Sequence, residues 1–334
     1  MTMKSQHASR PAVLVTGGCG YIGSHVVRQL VESGCHPVVI DNLTTGFREL
    51  LVEGATLLVG DCADQRVVKD AIREFNIKTV MHFAASALVP ESVAQPVKYY
   101  DNNVRGSLSL ITACVESGVQ NFIFSSTGSV YGESAPVPAA EHHDTHPTNP
   151  YSRSKMMTEL MLRDIADATG LKYVILRYFN VAGADPKGRQ GQRSRNATHL
   201  IKIASEVVCG KRASLSVFGT DYDTADGTGV RDYIHVEDLA SAHLAAMRHL
   251  DAGGKSDTFN CGYGHGFSVL EVIKAVEEVT GRPLKVVMAP RRPGDISASV
   301  ADNRKIIEVL KWKPRFDDLR VIVSHAIAFE KKLA

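Results

Sequence analysis

The sequence predicts an α/β fold in which a parallel sheet is covered by helices on both faces. Three observations predict it. Short apolar runs rich in β-branched residues alternate with longer helical patterns over about the first 180 residues. A glycine-rich stretch, GGCGYIG, lies between the first apolar run and the first helical pattern. An aspartate, Asp41, ends the second apolar run.

Taken in order, the predicted strands are Ala12–Val15, Pro37–Asp41, Thr56–Val59, Thr79–Phe83, Asn121–Ser126 and Tyr173–Tyr178. Each is short and apolar on both faces, as strands buried inside a parallel sheet are. The intervening helices are Ile22–Ser33, Gln65–Glu74, Asn102–Ser117 and Ser152–Thr169. Alternation of this kind gives a doubly wound parallel sheet of the Rossmann type. After Asn180 the rhythm breaks, and Asp185–Asn196 reads as a polar loop. A helix at Thr198–Cys209, a strand at Leu215–Phe218 and a helix at Val236–Arg248 follow. A strand at Thr258–Asn260 and helices at Val269–Thr280, Arg304–Leu310 and Leu319–Lys331 complete a smaller, interleaved C-terminal α/β substrate domain. The expected division gives residues 11–180 plus about 229–262 to a cofactor domain, and about 181–228 plus 263–334 to the substrate domain, with 1–10 as a disordered lead-in.

Composition narrows the function classes. Of 334 residues, 44% are hydrophobic and 22% charged, which suits a water-soluble chain with a large core. A net charge of +2 argues for neither a nucleic-acid nor a membrane partner. No apolar stretch approaches the roughly 20 residues that span a bilayer. The N-terminal MTMKSQHASR is polar and has no signal-type apolar region. Six cysteines are scattered without a CxxC pair, which points to reduced thiols in a cytoplasmic protein rather than a zinc site or disulfide framework. The histidines of Glu141–His146 (EHHDTH) read as loop residues, and no metal site is expected.

The glycine-rich stretch carries the first chemical signal. Gly17, Gly20 and Gly23 follow a strand and open a helix, the context in which such a pattern binds a dinucleotide pyrophosphate. Glycine permits the tight turn and lets backbone N–H groups approach the phosphates, while the helix N-terminus at Tyr21 and Ile22 adds partial positive charge. Asp41, about 20 residues further on, is placed to accept hydrogen bonds from the adenosine ribose. It would repel a 2′-phosphate, so the expected cofactor is NAD. Asn42 follows it where an NADP enzyme would favour arginine. Asp61, after the third strand, is placed to meet the adenine amino group, and Cys62 beside it is a further expected cofactor residue.

The second signal is YSRSK. Tyr151 and Lys155 are four residues apart, on one face of a helix. A phenol is a poor base at neutral pH, but a neighbouring ammonium lowers its pKa. Tyr151 can then take a proton from an alcohol whose carbon gives up hydride, with the Thr127 hydroxyl beside the reacting oxygen. Residues 128 and 129 are Gly128 and Ser129, so no carboxylate is available there to eliminate water.

With TGGCGYIGSH, DNLTTG, HFAA, PESV, YYDNNV, FSSTGSVYG, NPYSRSK, LRYFNVAGA, FGTDYDTADGTGVRDYIHVEDLA and APRRPGD in this order, the chain resembles the extended short-chain dehydrogenase/reductase superfamily. Within it, the chain is similar to the UDP-glucose 4-epimerase family over about residues 12–332, most specifically in GTDYDTADGTGVRDYIHV. The resemblance implies reversible inversion at sugar carbon 4 through a 4-keto intermediate, a UDP-sugar substrate and a homodimer. It places Phe83, Ala84, Asn102, Ser125, Tyr178, Tyr151 and Lys155 along the cofactor. It places Asn180, His199, Leu200, Ser216, Phe218, Arg231, Arg292, Asp295 and Ser299 along the substrate, with Thr127 and Tyr151. Arg231 and Arg292 suit a diphosphate, Asp295 the uridine ribose and Phe218 the uracil. Taken alone, the two arginines read as surface charges; the motif context reverses that.

Three positions depart from the family pattern. Ala87 stands where some members carry lysine, and His199 where some carry asparagine. Ser299 stands where narrow-specificity members carry tyrosine, so acceptance of UDP-GlcNAc and UDP-GalNAc is an expectation. Two rival readings remain: a 4-epimerase or decarboxylase acting on a UDP-pentose or UDP-uronate, and a non-catalytic NAD(H)-sensing protein. The apolar stripes Val104, Leu108, Ile111, Val115 and Met157, Leu160, Met161, Ile165 fit either packing on the sheet or a subunit interface.

Overall fold

The computed structural model describes residues 10–133, 135–193, 197–292 and 295–333. The expected lead-in, apart from Arg10, lies outside the described residues, as do residues 194–196 of the expected loop. In chain order the elements begin β1 (Ala12–Thr16), α1 (Tyr21–Glu32), β2 (His36–Asp41), β3 (Thr56–Val59), α2 (Gln65–Phe75), β4 (Thr79–His82), α3 (Val89–Ala94), α4 (Pro96–Tyr99), α5 (Gly106–Glu116), β5 (Asn121–Ser125), α6 (Pro150–Thr169) and β6 (Lys172–Tyr178). They continue β7 (Asn180–Ala182), α7 (Leu200–Val208), β8 (Leu215–Phe218), β9 (Val230–Arg231), β10 (Tyr233–His235), α8 (Val236–Asp251), β11 (Asp257–Cys261), β12 (Phe267–Ser268), α9 (Val269–Thr280), β13 (Val286–Ala289), β14 (Ala298–Ser299), α10 (Arg304–Leu310) and α11 (Leu319–Lys332).

Two compact units divide these elements. The first takes the chain up to Ser126 with Arg153–Leu176 and His243–Thr258; the second takes Thr127–Ser152, Arg177–Ala242 and the chain from Phe259. One seven-stranded sheet has the order β3-β2-β1-β4-β5-β6-β11, and its first six strands pair in parallel. This is the doubly wound Rossmann order, with its switch point between β1 and β4. Leu14, Val38, Ile40, Val80, Phe122 and Phe124 are fully or almost fully buried in the sheet, each contributing roughly 1.5–3 kcal/mol as apolar surface leaves water. The expected burial on both faces fails at β3, where Val59 is 56% exposed on the outermost strand.

A buried histidine ties the switch point together. His82 Nδ1 bonds Thr16 Oγ1 of β1 at 2.7 Å, and its Nε2 bonds Ser107 Oγ of α5 at 2.9 Å. Burial, with Lys155 as the second cause, pushes its pKa down to about 3, so it serves as a neutral bridge.

Two features differ from the expected elements. The helix expected from Asn102 begins instead as a π turn over Tyr100–Arg105, and α5 starts at Gly106. In that turn Asn103 accepts from Ser86 N–H at 2.8 Å and donates to the Ser86 carbonyl at 3.0 Å and to Ser154 Oγ at 2.9 Å. Such turns widen a helix where a side chain is required elsewhere. Helices α3 and α4 were not expected. They have six and four residues and carry proline in the first turn, which suits helix initiation but is too short to show a period.

In the second unit, β9 is central in the sheet β12-β9-β14, while β7 pairs β10 and β8 pairs β13. The buried Asp232, just after β9, accepts the N–H groups of Tyr263, Gly264 and Ala301 at 2.9, 3.1 and 3.2 Å. Burial raises its pKa to about 6, and the three bonds oppose the rise. They pin the strand end that bears Arg231. Glu330 of α11 receives Lys202 of α7 and Lys211, the latter at 2.7 Å, which fixes α7 against the C-terminal helix. Among the described residues no helix is long and apolar enough to cross a membrane.

Candidate active site

The β1–α1 turn is built for a close backbone approach. Gly17 has φ +71°, and a Cβ there would lie 2.7 Å from the Ala84 nitrogen. At Gly23 a Cβ would fall 2.3 Å from the Gly17 carbonyl oxygen, so α1 rests directly on the turn. The N-cap of α1 is Gly20, which gives the helix no side-chain cap, so its N-terminus is open to another acceptor. By contrast Asp64 caps α2, accepting from the Arg66 and Val67 amides.

Asp41 ends β2 with a pinned carboxylate. One oxygen accepts the Cys19 N–H at 2.9 Å and the other the Leu43 N–H at 2.8 Å. Each retains a lone pair for a ribose hydroxyl. Asn42 is exposed and accepts from Thr44 N–H. Asp61 is exposed and bonds the Ala63 N–H at 2.8 Å; burial and Asp61 together push the Cys62 thiol up to about 12, so it is a neutral wall rather than a nucleophile. Phe83 N–H donates to the Thr16 carbonyl, and the Phe83 ring packs against His243 at 4.7 Å. Asn102 donates to Ser86 Oγ at 3.1 Å. Tyr178 ends β6, half-buried. These residues fit a dinucleotide: a glycine-rich turn, a helix start with no side-chain cap and a fixed carboxylate follow one another along the ends of β1 and β2.

Tyr151 and Lys155 share the first turns of α6, and both are buried. Lys155 Nζ donates to the Ser125 carbonyl at 2.9 Å. Burial lowers its pKa to about 8, with Glu159 opposing the fall. Glu159, one turn further along α6, has a fully buried carboxylate that accepts from Ser126 Oγ at 2.5 Å and from Arg163 at 3.0 Å. Sequence reasoning missed it, although it repeats the four-residue spacing of Tyr151 and Lys155.

Thr127 caps the turn that follows β5 and accepts the Ser129 N–H at 3.2 Å. Its Oγ1 lies 2.9 Å from Ser129 Oγ, which accepts from Ser152 Oγ at 3.0 Å. A chain of hydroxyls therefore runs from Thr127 to the residue after Tyr151. Ser129, in the place where a carboxylate would drive elimination, is a link in that chain.

In the second unit, Asn180, His199 and Leu200 line one small cavity with Gln192, Lys202 and Tyr233. Gln192 Nε2 lies 2.9 Å from His199 Nδ1. Asp295 lies between two guanidinium groups, 3.9 Å from Arg231 and 3.6 Å from Arg292. Arg292 also covers the Phe218 ring, 3.9 Å from its centroid. Ser216 and Phe218 lie on β8, and Ser299 on β14 is in register with Arg231.

Fold and site define a nicotinamide-dinucleotide protein with a tyrosine–lysine pair. The model of the NAD dependent epimerase/dehydratase family matches residues 13–262, and the chain belongs to that family. A UDP-glucose 4-epimerase of Azospirillum brasilense is 50% identical over 99% of this chain and 95% of the relative. The structure of UDP-glucose 4-epimerase from Brucella ovis in complex with NAD aligns with TM-score 0.93 and 43% identity, covering 96% of this chain and 98% of that one. A UDP-Glc/GlcNAc 4-epimerase from Campylobacter jejuni aligns with TM-score 0.84 and 45% identity, over 96% and 99%.

Proposed function

We propose that this chain is a UDP-glucose 4-epimerase that interconverts UDP-glucose and UDP-galactose with NAD as cofactor. The observation that carries the reading is the buried Tyr151–Lys155 pair on α6, with no carboxylate at Gly128-Ser129. NAD, held by the β1–α1 turn and Asp41, would supply the hydride acceptor and donor for sugar carbon 4. Tyr151 takes the 4-hydroxyl proton and gives it back. The Lys155 ammonium stabilises the phenolate. Thr127, held by Ser129, bonds the reacting oxygen. Arg231 and Arg292 hold the diphosphate and Asp295 the ribose, so the nucleotide stays anchored while the keto sugar turns about its diphosphate link.

Ser299 leaves room for an N-acetyl group, and the dual-specificity Campylobacter relative supports the same reading. Ser299→Tyr should keep glucose epimerisation and lose the N-acetyl sugars; undiminished N-acetyl turnover removes this account. The protein is a cytoplasmic homodimer in this reading. The six free thiols support the compartment, and the exposed Leu108, Met157 and Leu160 support the dimer. Product analysis with a panel of UDP-sugars tests the function. Interconversion of UDP-glucose and UDP-galactose is expected; turnover confined to pentoses or uronates, or release of carbon dioxide, transfers the chain to the rival enzymes.

A further inference from the structure

Ser129 has no task in the chemistry above beyond holding Thr127, yet its own proton has a definite place. Ser129 Oγ lies 2.9 Å from Thr127 Oγ1 and accepts from Ser152 Oγ at 3.0 Å. Among the described residues Thr127 is then the acceptor left for the Ser129 hydroxyl proton. Ser129 also sends its backbone N–H to the same Thr127 oxygen, at 3.2 Å. A hydroxyl oxygen has two lone pairs, so this one residue fills both.

The oxygens of the chain are held from both ends. Asn149, the residue before α6, accepts the Ser152 N–H at 2.9 Å, a bond that only its amide oxygen can make, so the amide is fixed. The Ser152 hydroxyl lies 3.0 Å from that oxygen, and Ser152 is fully buried, so its side chain stays at Ser129. At the other end the turn that carries Thr127 and Ser129 closes on the buried Tyr131. Its hydroxyl donates to Asn260 at 2.7 Å and accepts from Arg177 at 3.0 Å. A Cβ at Gly128 would lie 2.8 Å from the Phe179 ring, so the turn rests directly on that ring.

The consequence is directional. With both lone pairs filled, Thr127 gives its proton and takes none. A sugar 4-hydroxyl beside it has one proton and cannot give it to Thr127, so that proton turns to Tyr151, the residue before Ser152. Accepting two bonds also makes Thr127 a stronger donor, since hydroxyls in a chain polarise one another. The same donor serves the ketone, which has lone pairs and no proton.

We propose that Ser129 is a positioning residue that makes Thr127 a donor only, and so directs the proton of the sugar 4-hydroxyl to Tyr151. The proposal rests on the reading of Thr127 and Tyr151 as the groups at the reacting oxygen. Steady-state rates with UDP-galactose test it for the wild type, Ser129→Ala, Ser129→Thr, Thr127→Ala and the double alanine variant, with the melting temperature and bound NAD(H) of each. Ser129→Ala keeps its N–H on Thr127 and frees one lone pair. Its kcat should fall about 10-fold, the scale of one hydrogen bond, with KM for UDP-galactose unchanged. Ser129→Thr, which restores a hydroxyl, should recover most of the loss. The double variant should be no slower than Thr127→Ala, because Ser129 acts through Thr127. Wild-type kcat in Ser129→Ala overturns the proposal, as does a threonine variant as slow as the alanine one. A double variant whose loss is the product of the two single losses overturns it too, since Ser129 would then act independently. If Ser129→Ala melts several degrees lower or loses its NAD(H), Ser129 serves the fold and the proposal falls. A wild-type protein without turnover of UDP-galactose defeats the underlying reading instead.

Discussion

Lys155 has lost the water that an ordinary lysine keeps, and its pKa of about 8 records the loss. Such a lysine is still mostly charged at neutral pH. Glu159 favours the charged form, opposing burial. The sign of its removal follows. Without the carboxylate the Lys155 pKa falls further, the ammonium is lost at lower pH, and Tyr151 loses its stabilising charge. The alkaline limb of the kcat profile of Glu159→Gln should therefore move to lower pH, with the glutamine still able to bond Ser126 and Arg163; an unmoved limb excludes the electrostatic role. Tyr151→Phe should bind NAD normally and lose about 10²–10⁴-fold in turnover, the usual worth of a general base. Near-wild-type turnover would refute Tyr151 as the base. Tyr151, Lys155 and Asp41 were legible because spacing along one helix, or position at a strand end, states their roles locally. The Thr127–Ser129–Ser152 chain was not, because Ser129 and Ser152 lie 23 residues apart and meet only through the fold.

Among the elements, α1 and α2 open in opposite ways. Asp64 satisfies the first amides of α2, whereas Gly20 gives α1 no side-chain cap. Asp64→Ala should cost about 1 kcal/mol of stability, read as a small drop in melting temperature, and leave NAD binding intact. Gly17→Ala should abolish NAD binding, because its φ of +71° and a Cβ 2.7 Å from the Ala84 nitrogen force the turn to move. A variant that retains bound NAD(H) after purification contradicts this account of the turn. Long helices and buried strands were readable from their period. Strands β9, β12 and β14, of two residues each, were not, since two residues have no period and are defined by their partners. Helices α3 and α4 escaped for the same reason.

For the whole molecule, the parallel sheet was legible from alternation, because each buried strand and its following helix occupy one stretch of sequence. The interior of the second unit was less so. Its elements are held by groups distant in sequence, such as Glu330 with Lys202 and Lys211, or Asp232 with Ala301. The two apolar stripes separate in the structure: Ile111 is buried in the core, whereas Leu108, Met157 and Leu160 are 42%, 42% and 48% exposed. Leu160→Glu should shift the proposed dimer toward monomer in sedimentation, and a dimer that persists places the interface on another face. The central claim is that hydride leaves carbon 4 and comes back, so that the net reaction is an isomerisation on cofactor the protein already carries. The most direct measurement incubates the purified protein with UDP-galactose, without added cofactor, and follows UDP-glucose together with absorbance at the reduced nicotinamide band. UDP-glucose should form through many turnovers with no accumulating reduced cofactor. No UDP-glucose, or a product that forms only as added NAD is consumed, contradicts the account.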